Sequence, residues 1–238
     1  MMKALLILLF LASFNLNGQV SQFQNTKTYK TQRNTIDEFR TDKFIEGGFV
    51  IKGNLKYSEI DGTPYLNDEF KKGTITTSSG TLIDNLLLRY NCYNDQIEYL
   101  KTDSVLEINP KSLILRAEFD NRVISYVKFR SGGKYEEGFC EVLVKGKASL
   151  FCRYNLGFLP PTTGLPYGDS NKARFKLPVR YFYVSNEDND VDLVKSKQDL
   201  INILKDRKTE IGTYISLNKL SLSKGDDLTR IIAYYNSL

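Results

Sequence analysis

The sequence predicts a mainly β (α+β) fold: an antiparallel β meander or curved sheet, a half-barrel, covered by short C-terminal helices. Three observations lead there. From Gly47-Gly48 onward, short apolar runs are separated by turn signals about every eight to twelve residues, the spacing of an antiparallel meander. Two pairs of these runs alternate cleanly enough to be set as hairpins. After Ser196 the apolar period lengthens from that of a strand to that of a helix.

The chain begins Met1-Met2-Lys3, continues with an apolar run from Ala4 to Leu11 that extends to Phe14, and turns polar from Asn15 to Gln19. This is the layout of a secretory signal peptide over residues 1–18, cut after Gly18, although Leu16 is larger than the residue usual at that place. Its apolar core of about 11 residues is too short for a bilayer-spanning helix, which takes about 20. No cysteine lies near the junction to accept a lipid anchor. The expected product is extracytoplasmic, periplasmic or secreted, with no transmembrane segment after cleavage. Residues 19–43 are polar and threonine-rich with no sustained period, and read as an N-terminal arm.

Residues 44–195 form the expected antiparallel β domain, punctuated by Asp61-Gly62, Ser79-Gly80, Asn94-Asp95, Asn109-Pro110, Asp120-Asn121, Gly132-Gly133 and Lys145-Gly146. In the first hairpin Leu113, Leu115, Ala117 and Phe119 alternate with polar or opposite-facing residues. A three-residue loop at Asp120-Asn121-Arg122 would face them with Val123, Ser125, Val127 and Phe129; a two-residue loop would face them with Arg122, Ile124, Tyr126 and Lys128. The first register keeps one face apolar and is preferred. Gly132-Gly133-Lys134 reads as a hairpin turn, because it lacks the strand, spacing and helix of a phosphate cradle.

The second hairpin turns at Lys145-Gly146-Lys147. A three-residue loop sets Val144 opposite Ala148, Val142 opposite Leu150, and Cys140 opposite Cys152. Facing Cα atoms at about 4.5 to 5.5 Å allow a cross-strand disulfide between Cys140 and Cys152; two free thiols packing as small apolar side chains are the alternative. Cys92 is left over and reads as a buried free thiol.

From Asn155 to about Lys172 three prolines and three glycines interrupt any period. Loops of this length are often functional, and Phe158 and Tyr167 are the candidate ligand-binding residues; capping one end of the sheet explains them equally. Strands resume at Val179–Val184 and Val191–Val194. Between them Asp188, Asp190 and Asp192 alternate as in the opening of a calcium loop, with Asp199 at the twelfth place. Leu193 stands where that loop needs glycine, and solvated turn carboxylates are the plainer reading.

Residues 196–238 predict helices packed on the sheet. Ser196 with Asp199 forms a capping pattern, and Leu200, Ile203 and Leu204 make a stripe. Ile211, Tyr214 and Ile215 make a second. After Ser223, Leu228, Ile231, Ile232 and Tyr235 repeat at helical spacing.

Composition narrows the chemistry. The chain of 238 residues has no histidine, which removes Ser-His and Cys-His nucleophile pairs and most zinc and copper sites; no cofactor is implied. The net charge of +5 comes from basic residues interspersed with acidic ones, so no nucleic-acid footprint is present. The pairs Asp68-Glu69 and Glu136-Glu137 carry no spacing that marks a glycosidase, and without tryptophan sugar stacking would fall to Tyr or Phe. Tyrosine is abundant at 15 residues, which suits either core packing or an aromatic-lined cavity.

The run Asp61-Gly62-Thr63-Pro64-Tyr65-Leu66-Asn67-Asp68-Glu69-Phe70, then Gly73-Thr74-Ile75, Leu88-Arg89-Tyr90-Asn91 and the ending Ile232-Ala233-Tyr234-Tyr235-Asn236, resembles exported β-rich proteins of Bacteroidetes-type bacteria. The resemblance covers the chain from about Gly53. It implies an exported β-rich product and carries over no catalytic residue.

The leading functional expectation is a non-catalytic exported protein of the cell envelope or secreted fraction that binds an unidentified partner protein or ligand. The alternatives are a carrier of lipid or another apolar ligand in a curved sheet, and a carboxylate-dependent hydrolase.

Overall fold

The computed structural model describes residues 41–43, 50–51, 55–162, 172–187 and 190–238. The leader at 1–18, most of the arm, Tyr167 and Asp188 lie outside them. In chain order the strands are β1 (Thr41–Lys43), β2 (Val50–Ile51), β3 (Leu55–Lys56), β4 (Lys71–Thr77), β5 (Leu82–Asn91), β6 (Gln96–Lys101), β7 (Ser104–Ile108) and β8 (Ile114–Phe119). They continue with β9 (Arg122–Ser131), β10 (Lys134–Val144), β11 (Ala148–Asn155), β12 (Phe158–Leu159), β13 (Arg174–Phe175), β14 (Val179–Asn186) and β15 (Val191–Leu193). Three helices close the chain: α1 (Lys197–Ile203), α2 (Lys208–Leu217) and α3 (Gly225–Asn236). The fold is mainly β with a curved, barrel-like sheet and short C-terminal helices. None of the described helices is long and apolar enough to cross a membrane.

Eleven strands join one sheet in the order β1-β7-β6-β5-β4-β8-β9-β10-β11-β14-β15. Most neighbours are consecutive in the chain, as short hairpin turns dictate. The exceptions are β1 beside β7, β4 beside β8 and β11 beside β14. Strand β1 pairs with β7 at the sheet edge, so the last three residues of the segment read as an arm belong to the sheet. Short, charged strands are the usual way to end an edge.

The sheet curls in two directions. One face of β4–β10 wraps Ile75, Leu88, Tyr90, Ile97, Ile124 and Phe139 into a closed core, capped at its end by Tyr57, Phe158 and Phe175. Past β9 the other face curls inward. Strand β15 pairs antiparallel with β14 and parallel with β9 at Phe129 and Arg130, so β9, β10, β11, β14 and β15 close a small barrel. A closed meander of an odd number of strands must contain one parallel pair, and this is it. Phe129, Cys140 and Tyr183 fill its interior together with Val127, Phe151, Val191 and Leu193.

The helices cover β11 and β14 on the face away from that interior. Leu200, Leu204, Ile211, Leu228, Ile231 and Ile232 are fully buried against Leu150, Cys152 and Val184. Burying a side chain of this size contributes about 1.5 to 3 kcal/mol. The capping box at Ser196 and Asp199 forms as the sequence indicates: the Asp199 amide donates to Ser196 Oγ at 3.2 Å, and the Ser196 amide donates to the Asp199 carboxylate at 2.8 Å.

Two expected registers are corrected. In the first hairpin Phe119 pairs with Arg122 and Ala117 with Ile124, the two-residue register. Asp120 and Asn121 have φ of 54° and 56°, both left-handed, as a type I′ turn requires. The apolar face is kept because a bulge in the β4–β8 pairing turns Ile114 inward and leaves Leu115 48% exposed. In the second hairpin Val144 pairs with Leu150 but Val142 with Phe151, with Leu143 as the extra residue. Cys152 therefore faces Glu141, and Cys140 falls beside Arg153 on the opposite face of the sheet. One added residue moves every following side chain to the other face, so of the two readings of these thiols the Cys140–Cys152 disulfide has no geometry to form and the free, packed pair is what the structure shows. All three cysteines are free and buried.

Candidate functional site

The small barrel is shut at one end and open at the other. At the shut end Arg153 lies over the Phe129 ring at 4.9 Å and reaches Asp95 at 3.7 Å. Asp95 also accepts the Tyr90 hydroxyl at 2.8 Å and the Phe139 amide at 3.1 Å. Gly138 makes this approach possible, since a Cβ there would stand 2.6 Å from the Asp95 carboxylate.

At the open end β8–β11 splay around a cleft of about 880 Å³. Its walls carry Val123 and Ser125 from β9, Val142 and Val144 from β10, and Ser149 and Phe151 from β11. Strand pairing places Val142 and Phe151 there as direct partners, with Ser149 two residues from Phe151 on the same face. Val144 lies past the bulge at Leu143, pairs with Leu150 and lines the cleft from beyond that bulge. Below, the ring pair of Phe129 and Tyr183, 4.7 Å apart, fills the barrel, so the cleft has a floor and is no tunnel. Apolar side chains supply most of the exposed lining, and Arg116, Glu118, Asn121, Arg122, Glu141 and Lys145 surround it with polar and charged groups. Small-molecule sites combine such a concave apolar surface with convergent polar groups.

Charged groups surround the walls in pairs. Arg116 meets Glu118 at 2.7 Å. Arg122 holds both oxygens of Glu141, at 2.8 and 2.9 Å, and the Tyr154 hydroxyl donates to the same carboxylate. Burial, helped by the Glu141 hydrogen bond, raises the Tyr154 phenol well above its ordinary value and keeps it a neutral donor. Lys145 at the β10–β11 turn is exposed and has no ion pair among the described residues.

The buried thiols have no reactive setting. Burial pushes Cys92, Cys140 and Cys152 each up to about 12, so they stay protonated at neutral pH. Carboxylate catalysis has no pair to work with at the cleft: Glu118 and Glu141 are each neutralised by an arginine. Glu136 and Glu137 are neighbours on β10 and point to opposite faces, and Glu69 is bound by Lys71.

Of the residues singled out by sequence, Phe158 sits past the end of β11 away from the cleft. It pairs with Phe175 and packs against Tyr93, capping the larger core. Asp190 and Asp192 meet the Arg130 guanidinium, Asp192 through two hydrogen bonds of 2.6 and 2.8 Å, and the Tyr135 hydroxyl donates to Asp190. At Asp190 and Asp192, the two of the three acids that are described, a positive side chain thus takes the place the calcium reading gave to a metal ion. No group of three or more metal-ligating side chains forms among the described residues.

The cleft residues were not found from sequence, because they come together only in the observed registers. The available signal was Asp120-Asn121, a dipeptide suited to two successive left-handed residues. It fixes the side of β9 on which Val123 and Ser125 stand. Comparison of the chain with family models, with curated proteins and with solved structures finds no match.

Proposed function

We propose that this chain is a non-catalytic binding protein that works outside the cytoplasm and takes a small ligand in the cleft at the mouth of the five-stranded barrel. One observation carries the reading: an apolar-walled cleft of about 880 Å³ lies open above a filled interior. A carrier that swallows its ligand needs a hollow core, and Phe129, Phe151 and Tyr183 occupy that space. A ligand held at the mouth is compatible with this packing. The apolar leader at residues 1–18 supports the location.

The test is native mass spectrometry of protein taken from its own compartment, wild type against Val123→Trp and Ser149→Trp, which fill the cleft from two strands. A small molecule retained by the wild type and lost from both variants, with unchanged circular dichroism, is the expected result. A ligand-free wild type, or a ligand kept equally by both folded variants, overturns the reading.

A further inference from the structure

Resting on that binding reading, we infer that the ligand is a single-chain amphipathic anion, an acyl chain ending in a carboxylate, with its chain along Val123, Val142 and Phe151 and its charged end at Lys145. The walls set the apolar part. The charge balance sets the other end. Five ionisable side chains line the cleft, and four of them neutralise one another: Arg116 with Glu118 at 2.7 Å, and Arg122 with Glu141 at 2.8 Å. Lys145 is the remaining one, exposed beside Val144 at the rim.

A ligand with a cationic head would need a carboxylate released from an arginine. Taking Glu141, only 9% exposed, from Arg122 strands a nearly buried charge. The Arg116–Glu118 pair is exposed and worth little by itself, but a cationic head at Glu118 would still stand beside the Arg116 charge. A neutral ligand would leave Lys145 simply hydrated. A carboxylate gains a charge-assisted hydrogen bond with no prior bond broken. The lysine stem can lie along the apolar wall while its ammonium group stays at the surface. The rim carries charges of both signs, unlike the uniformly basic patches that dock on anionic bilayers, so the ligand is a free chain and not a lipid still in a membrane.

The experiment is calorimetric titration of the purified protein with dodecanoate and with dodecanol, below their aggregation concentrations, for wild type, Lys145→Ala, Lys145→Arg and Val123→Trp. Dodecanoate should bind the wild type about tenfold more tightly than dodecanol. Lys145→Ala, an exposed change that leaves the fold intact, should remove that preference, Lys145→Arg should retain it, and Val123→Trp should abolish binding of both. Equal affinity for the two probes overturns the anionic assignment and leaves the cleft reading standing. Binding of neither probe, while a co-purifying ligand is still lost on Val123→Trp, also overturns this assignment alone. Binding of neither probe, with no co-purifying ligand, ends both. Flotation with phosphatidylglycerol vesicles, without binding of free dodecanoate, overturns the choice of a free chain.

Discussion

The Asn236 side chain meets the backbone of Ala148 twice: its Oδ1 accepts the Ala148 amide at 2.8 Å, and its Nδ2 donates to the Ala148 carbonyl at 2.9 Å. A side-chain amide here does what a neighbouring strand does, and it ties the last residue of α3 to the first residue of β11. Ala148 is fully buried, so water cannot replace the partner. Asn236→Ala should cost about 2 kcal/mol, the net worth of two hydrogen bonds together with the desolvation of the groups left behind. Gly146→Ala should act through the same contact, because a Cβ at Gly146 would overlap the Asn236 amide. Urea unfolding midpoints measure both effects. If Asn236→Ala matches the wild type, the clasp contributes nothing.

The cover of helices should loosen in acid. The Ser196 hydroxyl and the backbone amides at Lys195 and Ser196 hold the Asp199 carboxyl below its ordinary value. At Asp206 burial pulls the other way, but hydrogen bonds from Lys147 and Tyr235 outweigh it and the net shift is downward. A carboxyl lowered on folding stabilises the fold above its unfolded value of about 3.9, and that stability is lost as pH falls through the folded value. Helical circular dichroism should therefore hold to about pH 4 and decline below it. Asp206→Asn should weaken the fold at pH 7 and flatten the decline, and an identical acid profile in the variant would show that Asp206 is not involved.

Helices and sheet were legible to different depths. The stripes of Leu200, Ile203 and Leu204, and of Leu228, Ile231, Ile232 and Tyr235, are local patterns, and all of these residues are buried except Ile203, which is half-buried. The existence of the strands was equally local. Their registers were not, because the bulge at Leu143 and the choice between two and three turn residues after Phe119 each move a strand by one residue. Closure of the small barrel rests on the parallel pairing of β15 with the end of β9, a contact some sixty residues apart in sequence that no local pattern encodes. The cleft depends on both, and so Val142, Lys145, Ser149 and Phe151 gave no sign of a shared role.

The three thiols should be silent in the folded protein. With each pushed up to about 12 by burial, the thiolate fraction at pH 8 is on the order of one in ten thousand. Iodoacetamide at pH 8 should leave Cys92, Cys140 and Cys152 unmodified without denaturant and alkylate all of them in urea. Reduction before urea should not change that result. Two thiols that react only after reduction would mean that Cys140 and Cys152 are bonded and that the register of β10 and β11 differs from the one described.

The buried pair of Arg89 and Glu98 should show what a charge costs when its partner is removed. Glu98 is 0% exposed; Arg89 Nε donates to one of its oxygens at 2.7 Å and Asn91 Nδ2 to the other at 2.9 Å. The guanidinium lies 3.6 Å from the centre of the Tyr65 ring and 4.2 Å from that of Phe70, and donates to the Tyr65 hydroxyl at 2.7 Å. Burial, then the Glu98 charge, raises the Tyr65 phenol, so it remains a neutral acceptor for the arginine. Arg89→Leu strands a carboxylate in the core and should cost about 3 to 5 kcal/mol. Adding Glu98→Leu to that variant removes the stranded charge and should recover most of the loss, leaving chiefly the unmet Asn91 amide. Arg89→Lys should fall between, since an ammonium can meet Glu98 but cannot stack on Tyr65 or present a planar fork. Urea unfolding of the two single variants and the double variant makes the cycle. A double variant as unstable as the sum of the singles would mean that the two residues act independently and that the ion pair is not what holds β5 to β6 at this point.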